Sequence, residues 1–399
     1  MSILHVATGV NLDDTEVGYA YRSTEELRQA YWLFYLLRSG ALVRAANFLG
    51  GKALQWGLPF TETILQNTLG KLFLGGTSLE ESVPVLRRLH GYGISVMLDY
   101  AVEASQTIAQ ADSALKEYYH MIDFAQAHRE EVAFLAIKLT ALAPPLLWEK
   151  LSRKEALSPS LQRAYDHFQA IFPPLIEKAA AAQIPIMIDA EESWIQAAID
   201  ETAEHFMQRY NKEAVLIYTT VQMYRRDRLE YLKELLQRAQ GHKVGIKLVR
   251  GAYVEKERRY AESRGLPDPI HPTKNATDLA YDLALMHCLE HIDRVSVCIA
   301  THNRQSCMKA VQYAILQGWD FRHPHLSFSQ LYGMSDPLSF GLAKAGFRVA
   351  KYLPYGPLKQ AFPYLSRRAE ENSSLSDQSG RELGWIEEEL RRRKRAKKA

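Results

Sequence analysis

Three cysteines in 399 residues, Cys288, Cys298 and Cys307, are too few for a disulfide framework. None stands in a Cys-x-x-Cys or His-x-x-Cys pattern, so no metal site is expected. An odd, small number suits a reducing compartment, with the thiols acting as small apolar fillers. Neither sign of charge dominates. The 49 Lys and Arg against 46 Asp and Glu leave a formal net charge of +3, so the fold as a whole is not a polyanion binder and no nucleic acid is expected as partner. Long apolar runs are missing too: the longest, Trp32–Val43, is interrupted by Arg38 and is too short to span a bilayer. Met1–Glu16 is neutral to acidic and has no apolar centre, so neither a signal peptide nor a transit peptide is expected. There is no GxGxxG and no Walker loop, so a dinucleotide would be held without either fingerprint.

What is present is a rhythm. Eight short β-branched or apolar runs recur: Ile94–Leu98, Phe134–Ile137, Ile184–Ile188, Ala214–Tyr218, Val244–Val249, Val295–Ala300, His325–Phe328 and Phe347–Lys351. At or just past their ends stand Asp99, Lys138, Asp189, Gln222, Arg250 with Tyr253, His302, Leu331 and Tyr352. Helical segments lie between most of the runs. Eight strand-plus-helix units in about 250 residues suggest a (β/α)8 TIM-like barrel, which carries its catalytic groups at the C-terminal ends of its strands. Eight scattered residues would then share one pocket.

Residues 1–90 form an N-terminal all-helical arm ahead of the barrel. Ser23 and Glu26 fit a capping box. Helical periodicity runs from there through Leu54, with a break expected near Gly50–Gly51. Another helix starts at Pro59, reaches about Phe73 and stops at Gly75–Gly76. Ser78 and Glu81 suggest a second capping box for a helix reaching Leu89. The barrel itself is expected over 91–375. Its long connection Pro144–Gln183 carries amphipathic helices. The connection Tyr253–Arg294 contains Gly265-Leu-Pro-Asp-Pro-Ile-His-Pro272, readable as a lid or as a plain surface excursion. Residues 376–399 read as a polar, then basic tail ending in Arg391-Arg-Arg-Lys-Arg395 and Lys397–Lys398. That tail is either solvated and partly disordered, or a contact with anionic lipid through the amphipathic stretch Leu383–Leu390, which includes Trp385 and Ile386.

Arg367 and Arg368 stand side by side on an expected helix, Leu358–Asn372. They are either a solvated helix face or a guanidinium clamp for a carboxylate. Tyr352, Tyr355 and Tyr364 nearby would give such a site aromatic walls. Asp99, Asp189, Glu191, Glu192 and Lys138 fall at neighbouring strand ends, where an Asp and a Lys could pair and tune each other, or simply form a rim salt bridge. Thr301-His302-Asn303 offers three consecutive hydrogen-bonding side chains suited to nucleotide or phosphate, and His302 has no second histidine at ligand spacing. In Lys247-Leu-Val-Arg-Gly-Ala-Tyr253, Lys247 and Val249 face one way and Leu248 and Arg250 the other. Gly251 would let a bulky ligand approach the backbone.

Taken in order, Lys247–Tyr253 with Glu257-Arg258, Ala300-Thr-His-Asn303, and Tyr352 with Tyr364-Leu-Ser-Arg-Arg-Ala-Glu-Glu-Asn372 closely resemble proline dehydrogenase. Asp99 with Glu103, Ile137-Lys138-Leu-Thr140, Ile188-Asp-Ala-Glu-Glu192 and Gln330-Leu-Tyr-Gly-Met334 add to the match. The resemblance implies a distorted (β/α)8 barrel that binds FAD non-covalently. It implies oxidation of L-proline to Δ1-pyrroline-5-carboxylate by hydride transfer from C5 to flavin N5, with electrons passed to a quinone.

Residue by residue, the resemblance has Arg367 and Arg368 hold the proline carboxylate. Lys138, Asp189, Tyr253, Leu331, Tyr352 and Tyr364 line the substrate pocket. Gln222, Lys247, Arg250, Gly251, Thr301, His302, Asn303 and Glu371 lie on the FAD side. Asp99 supports the floor, and Glu103 matches an acid that gates the site by pairing with the first Arg. Lys247 stands where some bacterial members carry Arg, keeping the cationic donor without the fork. The implied location is cytoplasmic with peripheral contact to an anionic membrane, the inner one in a bacterium; a mitochondrial location stays open. Two rivals remain. One is a 4-hydroxyproline dehydrogenase, against which Tyr352 counts, because a smaller residue there admits the hydroxyl. The other is a non-enzymatic barrel that binds a polyanion through its basic tail.

Overall fold

The computed structural model describes residues 9–102, 104–374 and 376–398. Helices come first. Asp14 caps α1 (Thr15–Gly18). Ser23 and Glu26 form the expected reciprocal box at the start of α2 (Thr24–Leu37). α3 (Gly40–Gln55) begins where the Ser39 hydroxyl accepts from the Leu42 N–H, so the helix breaks there and not at Gly50–Gly51. Those two glycines stay helical beside Phe362: a Cβ on either would come within 3.4 Å and 3.3 Å of its ring. α4 (Thr61–Leu65), a π-helical turn (Gln66–Gly70) and α5 (Lys71–Phe73) follow. At α6 (Leu79–His90) Ser78 caps the Glu81 N–H, but the Glu81 carboxylate turns to the N–H and hydroxyl of Thr77, both at 2.7 Å. Thr77 presents two donors, and the reciprocal half of the expected box is lost to it.

Strands and helices then alternate: β1 (Ile94–Tyr100), α7 (Ile108–Ala127), β2 (Val132–Ile137), α8 (Pro145–Ser152), α9 (Pro159–Ala181), β3 (Ile186–Ile188), α10 (Ser193–Tyr210), β4 (Ile217–Gln222), α11 (Arg228–Arg238) and β5 (Val244–Val249). They continue with α12 (Val254–Ser263), α13 (Lys274–Glu290), β6 (Val295–Ala300), α14 (Arg304–Leu316), β7 (Leu326–Leu331), α15 (Asp336–Lys344), β8 (Val349–Tyr355), α16 (Leu358–Ser374) and α17 (Ser376–Ala396). The eight strands close into a barrel in chain order, the fold class expected from the rhythm.

The fourth strand lies three residues later than its apolar run. Asn211 is the cause: its side-chain oxygen accepts from the N–H groups of Leu216 and Ile217, each at 2.9 Å, and its amide donates to the Ile217 carbonyl at 2.7 Å. The last strand runs on past Lys351 to Tyr355, with Asp99 opposite Pro354 and Tyr100 opposite Tyr355.

The chain divides into two compact units, 1–102 with 330–399, and 103–329. In the first, β1 pairs in parallel with β8 along its whole length. Its apolar cluster joins Leu27, Phe34 and Leu37 of α2 to Leu365 and Ala369 of α16 and to Leu383, Trp385 and Ile386 of α17. This corrects the reading of the C-terminus as a loose basic tail. The apolar side of Leu383–Leu390 packs into the protein's own cluster and is not left for lipid. Arg393 donates to Glu389 at 2.7 Å and to the carbonyls of Tyr19 at 2.8 Å and Arg22 at 2.9 Å.

In the second unit β2 through β7 pair in sequence, every described pair parallel. Strands covered on both faces are near-continuous apolar runs, as these are. The proline-rich loop is tied down: the Arg226 N–H donates to the Pro269 carbonyl at 2.9 Å, and the His271 N–H to that of Tyr224 at 2.8 Å.

Candidate active site

In the first unit the candidate residues come from β1, the end of β7, β8 and α16. Leu331 and Tyr352, both partly exposed, pack against the apolar cluster that contains Tyr364. One helical turn after Tyr364, Arg368 holds its guanidinium 5.3 Å from the Tyr364 ring centroid. Both residues are buried. Arg368 pairs with Glu371 at 2.6 Å. Two buried donors nearby, the Tyr364 hydroxyl and the Arg368 Nε, have no hydrogen-bond partner among the described residues. Burial pushes the Tyr364 hydroxyl well above the usual phenol range, opposed by Arg368 and reinforced by Asp99 and Glu371. Tyr364 therefore stays a neutral donor. Burial also raises the Glu371 carboxyl, against the pull of Arg368 and Arg367.

Of the other expected residues in this unit, Asp99 is buried near the end of β1 and Arg367 is partly exposed on α16. Tyr355 is fully buried, its ring 5.6 Å from that of Tyr100, and so belongs to the packing of β1 on β8. Glu103 lies outside the described residues.

Sequence reading missed a buried ionic cluster beside these residues. Lys351, next to Tyr352 in β8, is fully buried; its Nζ lies 2.8 Å from Asp336 and donates to the Met334 carbonyl at 2.6 Å. Asp336 also accepts from the Tyr21 hydroxyl at 2.8 Å and lies 3.2 Å from Arg22. Burial would raise Asp336, but Lys351 and Arg22 hold it below the usual carboxylate range. Glu382 of α17 accepts from the Ser335 N–H at 2.8 Å and hydroxyl at 3.1 Å, and burial pushes its pKa up to about 7. The cluster pins the segment following Leu331 to β8 and α17. The one visible signal was a lysine closing an apolar run.

In the second unit, Asp189 just past β3 accepts from Lys247 of β5 and lies 4.0 Å from Lys138 just past β2. All three are buried. The expected Asp–Lys pairing at strand ends is thus realised around Asp189. Gln222 ends β4, buried, and its side-chain oxygen has no hydrogen-bond partner among the described residues. Arg250 stacks 4.2 Å over the Tyr281 ring, pairs with Asp278 at 2.7 Å, and donates to the hydroxyls of Thr301 at 2.5 Å and Ser306 at 3.0 Å. Burial would raise Asp278, but hydrogen bonds from Lys274 and Arg250 hold its carboxyl below the usual range. Asn303 caps α14, accepting from the N–H groups of Gln305 at 2.9 Å and Ser306 at 3.2 Å. His302 and Tyr253 are partly exposed, Tyr253 at the start of α12. Asp278 and Ser306 were not legible in the sequence, since both sit inside ordinary helical periodicity.

Gly251 has a φ of +131°, and a Cβ on it would come within 2.4 Å of the Tyr224 ring, so packing on that side requires a glycine. Glu191 and Glu192 serve local structure: Glu191 accepts from the Thr140 hydroxyl at 2.6 Å, and Glu192 pairs with Lys256. And a group of ligand-type side chains does exist: ligand atoms of His287, Glu290 and His291 lie within 4.8 Å of one another at the end of α13. This group precedes β6, whereas Thr301 follows that strand. The His-x3-His spacing was visible in the sequence.

A family model described as proline dehydrogenase matches residues 83–381. The carbapenem antibiotics biosynthesis protein CarD of Pectobacterium carotovorum subsp. carotovorum is 33% identical over 331 residues, covering 82% of this chain and 85% of the relative. Proline dehydrogenase 1, mitochondrial, of Arabidopsis thaliana is 31% identical over 374 residues, covering 83% of this chain and 75% of the relative. Among solved structures, proline utilization A of Bdellovibrio bacteriovorus, inactivated by N-propargylglycine, superposes with a TM-score of 0.73 at 20% identity. That likeness concerns the fold. It covers 94% of this chain, which spans 42% of the length of that protein.

Proposed function

Because the chain belongs to the proline dehydrogenase family, we propose that it oxidises L-proline to Δ1-pyrroline-5-carboxylate with FAD as cofactor and a quinone as final electron acceptor. The observation that carries this reading is that two of the three buried donors on α16 with no protein acceptor among the described residues, the Tyr364 hydroxyl and the Arg368 Nε, lie one turn apart beside the guanidinium, the third being the Ser366 hydroxyl. Leaving a buried donor unpaired costs about 1–3 kcal/mol. A carboxylate accepts from both, and its charge is matched by the guanidinium.

Arg367, Arg368 and Tyr364 hold the proline carboxylate, and Arg368 is oriented by Glu371. Leu331 and Tyr352 pack the apolar ring. Asp189, held by Lys247 and Lys138, and Tyr253 complete the substrate residues. Polar groups suited to FAD are present: the Gln222 oxygen has no donor among the described residues, and Lys247, Arg250, Thr301, His302 and Asn303 supply donors and a cation. Bound FAD supplies the hydride acceptor. The chain supplies orientation: a carboxylate fixed at one end of the substrate leaves the ring a single pose, which lowers the barrier by removing lost motion in advance. Among the described residues no helix is long and apolar enough to cross a membrane, so a quinone would be met at a membrane surface.

The test is turnover. Proline with a soluble quinone analogue should give a product lighter by two hydrogen atoms, and acid precipitation should free FAD into the supernatant. No proline-dependent quinone reduction by a flavin-loaded preparation would overturn the reading, and flavin that stayed with the pellet would overturn the non-covalent part.

A further inference from the structure

The outer surface of the helical arm has the wrong polarity for a face turned to water. α2 buries Leu27, Ala30, Phe34 and Leu37 on its inner side, yet its outer side carries Trp32, Tyr35 and Leu36, all more exposed than buried. A helix at the edge of a soluble protein normally presents polar residues outward. α3 and the segment after it repeat the pattern: Phe48, Leu49, Trp56 and Phe60 are 61–77% exposed. Exposed apolar residues scattered singly need no explanation, but a concentration of this kind marks an interaction surface.

Charge decides what the surface meets. Between its two ends the surface is cationic: from Leu27 to Thr61 there are four cations, Arg28, Arg38, Arg44 and Lys52, and no Asp or Glu, while at the start of α2 Glu25 lies 3.7 Å from Arg28 and Glu26 2.9 Å from Arg88, and Glu62 stands near the far end. The cations are interleaved with the rings: Lys52 Nζ lies 4.5 Å from the Phe48 ring centroid and 5.7 Å from that of Trp56. Trp32 and Tyr35 form an edge-to-face pair with centroids 5.9 Å apart. A second copy of the stretch between Leu27 and Thr61 would set cation against cation, because a two-fold contact places the same patch on both sides. Tryptophan and tyrosine favour the boundary between water and acyl chains, and lysine and arginine favour anionic headgroups.

We propose that the outer side of α2, α3 and the adjoining Trp56–Ile64 segment docks on an anionic bilayer, with Trp32, Phe48, Trp56 and Phe60 as apolar anchors. This places membrane contact on the arm and not on the C-terminal helix, whose Leu383, Trp385 and Ile386 are already buried. The inference concerns where the chain binds and stands whatever its substrate.

The experiment is co-sedimentation of the full chain with phosphatidylcholine vesicles, with and without phosphatidylglycerol, at low and high salt. Each cation near an anionic leaflet strengthens partitioning about fivefold. The wild type should pellet with the phosphatidylglycerol vesicles. Trp32→Glu with Phe48→Glu should weaken partitioning about tenfold or more at both salts, and Arg44→Glu with Lys52→Glu by as much at low salt only. Arg395→Glu with Lys397→Glu and Lys398→Glu should leave it unchanged. Lipids brominated on their acyl chains should quench tryptophan fluorescence of the unmutated protein, a readout that survives poor folding of any variant. No binding by the wild type, equal binding by the Trp32/Phe48 variant, or loss only in the C-terminal variant would overturn the proposal. So would light scattering that shows the Trp32/Phe48 change splitting a dimer that does not bind vesicles, since the face would then join two copies.

Discussion

Tyr364 and Arg368 lie one turn apart on α16, with the guanidinium 5.3 Å from the ring centroid, and each keeps one buried donor that no described residue accepts. Native proteins pair nearly all such groups. The Ser366 hydroxyl on the same helix shares that state, and under the proposed function the acceptor for Tyr364 and Arg368 is the substrate carboxylate.

Arg368→Met removes the buried cation. The expected loss is about 2–5 kcal/mol, roughly 30- to 5,000-fold in kcat/KM for proline, with flavin content kept. Near-normal kinetics would make Arg368 a merely structural partner of Glu371.

Tyr364→Phe separates stability from binding. Deleting a hydroxyl that has no protein partner should leave Tm unchanged or raise it, while a lost hydrogen bond to a charged ligand costs about 2 kcal/mol, roughly thirtyfold in kcat/KM. A fall in Tm without a kinetic change would show that the hydroxyl is bonded inside the protein.

Tyr352→Ser tests the choice between proline and 4-hydroxyproline. Lost ring packing should weaken proline, and the new hydroxyl with the space around it should favour trans-4-hydroxyproline. The ratio of the two kcat/KM values is the readout, and an unchanged ratio removes Tyr352 as the discriminator.

Gly251→Ala should destabilise the protein whether or not ligand is present. The φ of +131° disfavours any side chain, and the Tyr224 ring occupies the space a Cβ would need. Backbone strain of this kind costs about 1–3 kcal/mol, and the clash adds to it. Thermal unfolding should show the loss, with partial recovery when Tyr224→Ala is added. A stable Gly251→Ala protein would refute the packing described here.

The Glu382 carboxyl gives stability a pH dependence. Its folded pKa, pushed up to about 7 by burial and by Asp336, against the pull of Arg381 and Lys351, exceeds the unfolded value of 4.5. A raised acid contributes stability that is full below the unfolded pKa and lost as pH rises through the folded one. Between these two values the wild type should lose Tm with rising pH relative to Glu382→Gln. Parallel curves for the two proteins would mean that Glu382 is ionised throughout.

Much of this architecture was visible in the sequence. Apolar runs of strand length separated by helical periodicity located all eight strands, because buried parallel strands need continuous apolar residues whatever surrounds them. The i, i+4 spacing of Tyr364 and Arg368 likewise places them on one helix face. What escaped depends on distant partners. The slip of β4 follows from one asparagine side chain in the preceding turn. Lys351 reads as the edge of a strand until Asp336, fifteen residues earlier, is seen to neutralise it. Gly251 reads as space for a ligand, and its packing against Tyr224, which also requires a glycine, is not written in the local pattern. The last helix reads as a basic tail until its apolar side meets α2. Periodicity reports which face is buried, not what buries it.

The central claim is that buried donors on α16 recognise the carboxylate of a proline that reduces the bound flavin. Anaerobic titration of the flavin-loaded protein with L-proline and with pyrrolidine, which has the same ring and no carboxylate, tests it most directly. L-proline should bleach the flavin and pyrrolidine should not, and Arg368→Met should abolish that preference. Equal bleaching by both compounds, or none by L-proline, would contradict the account.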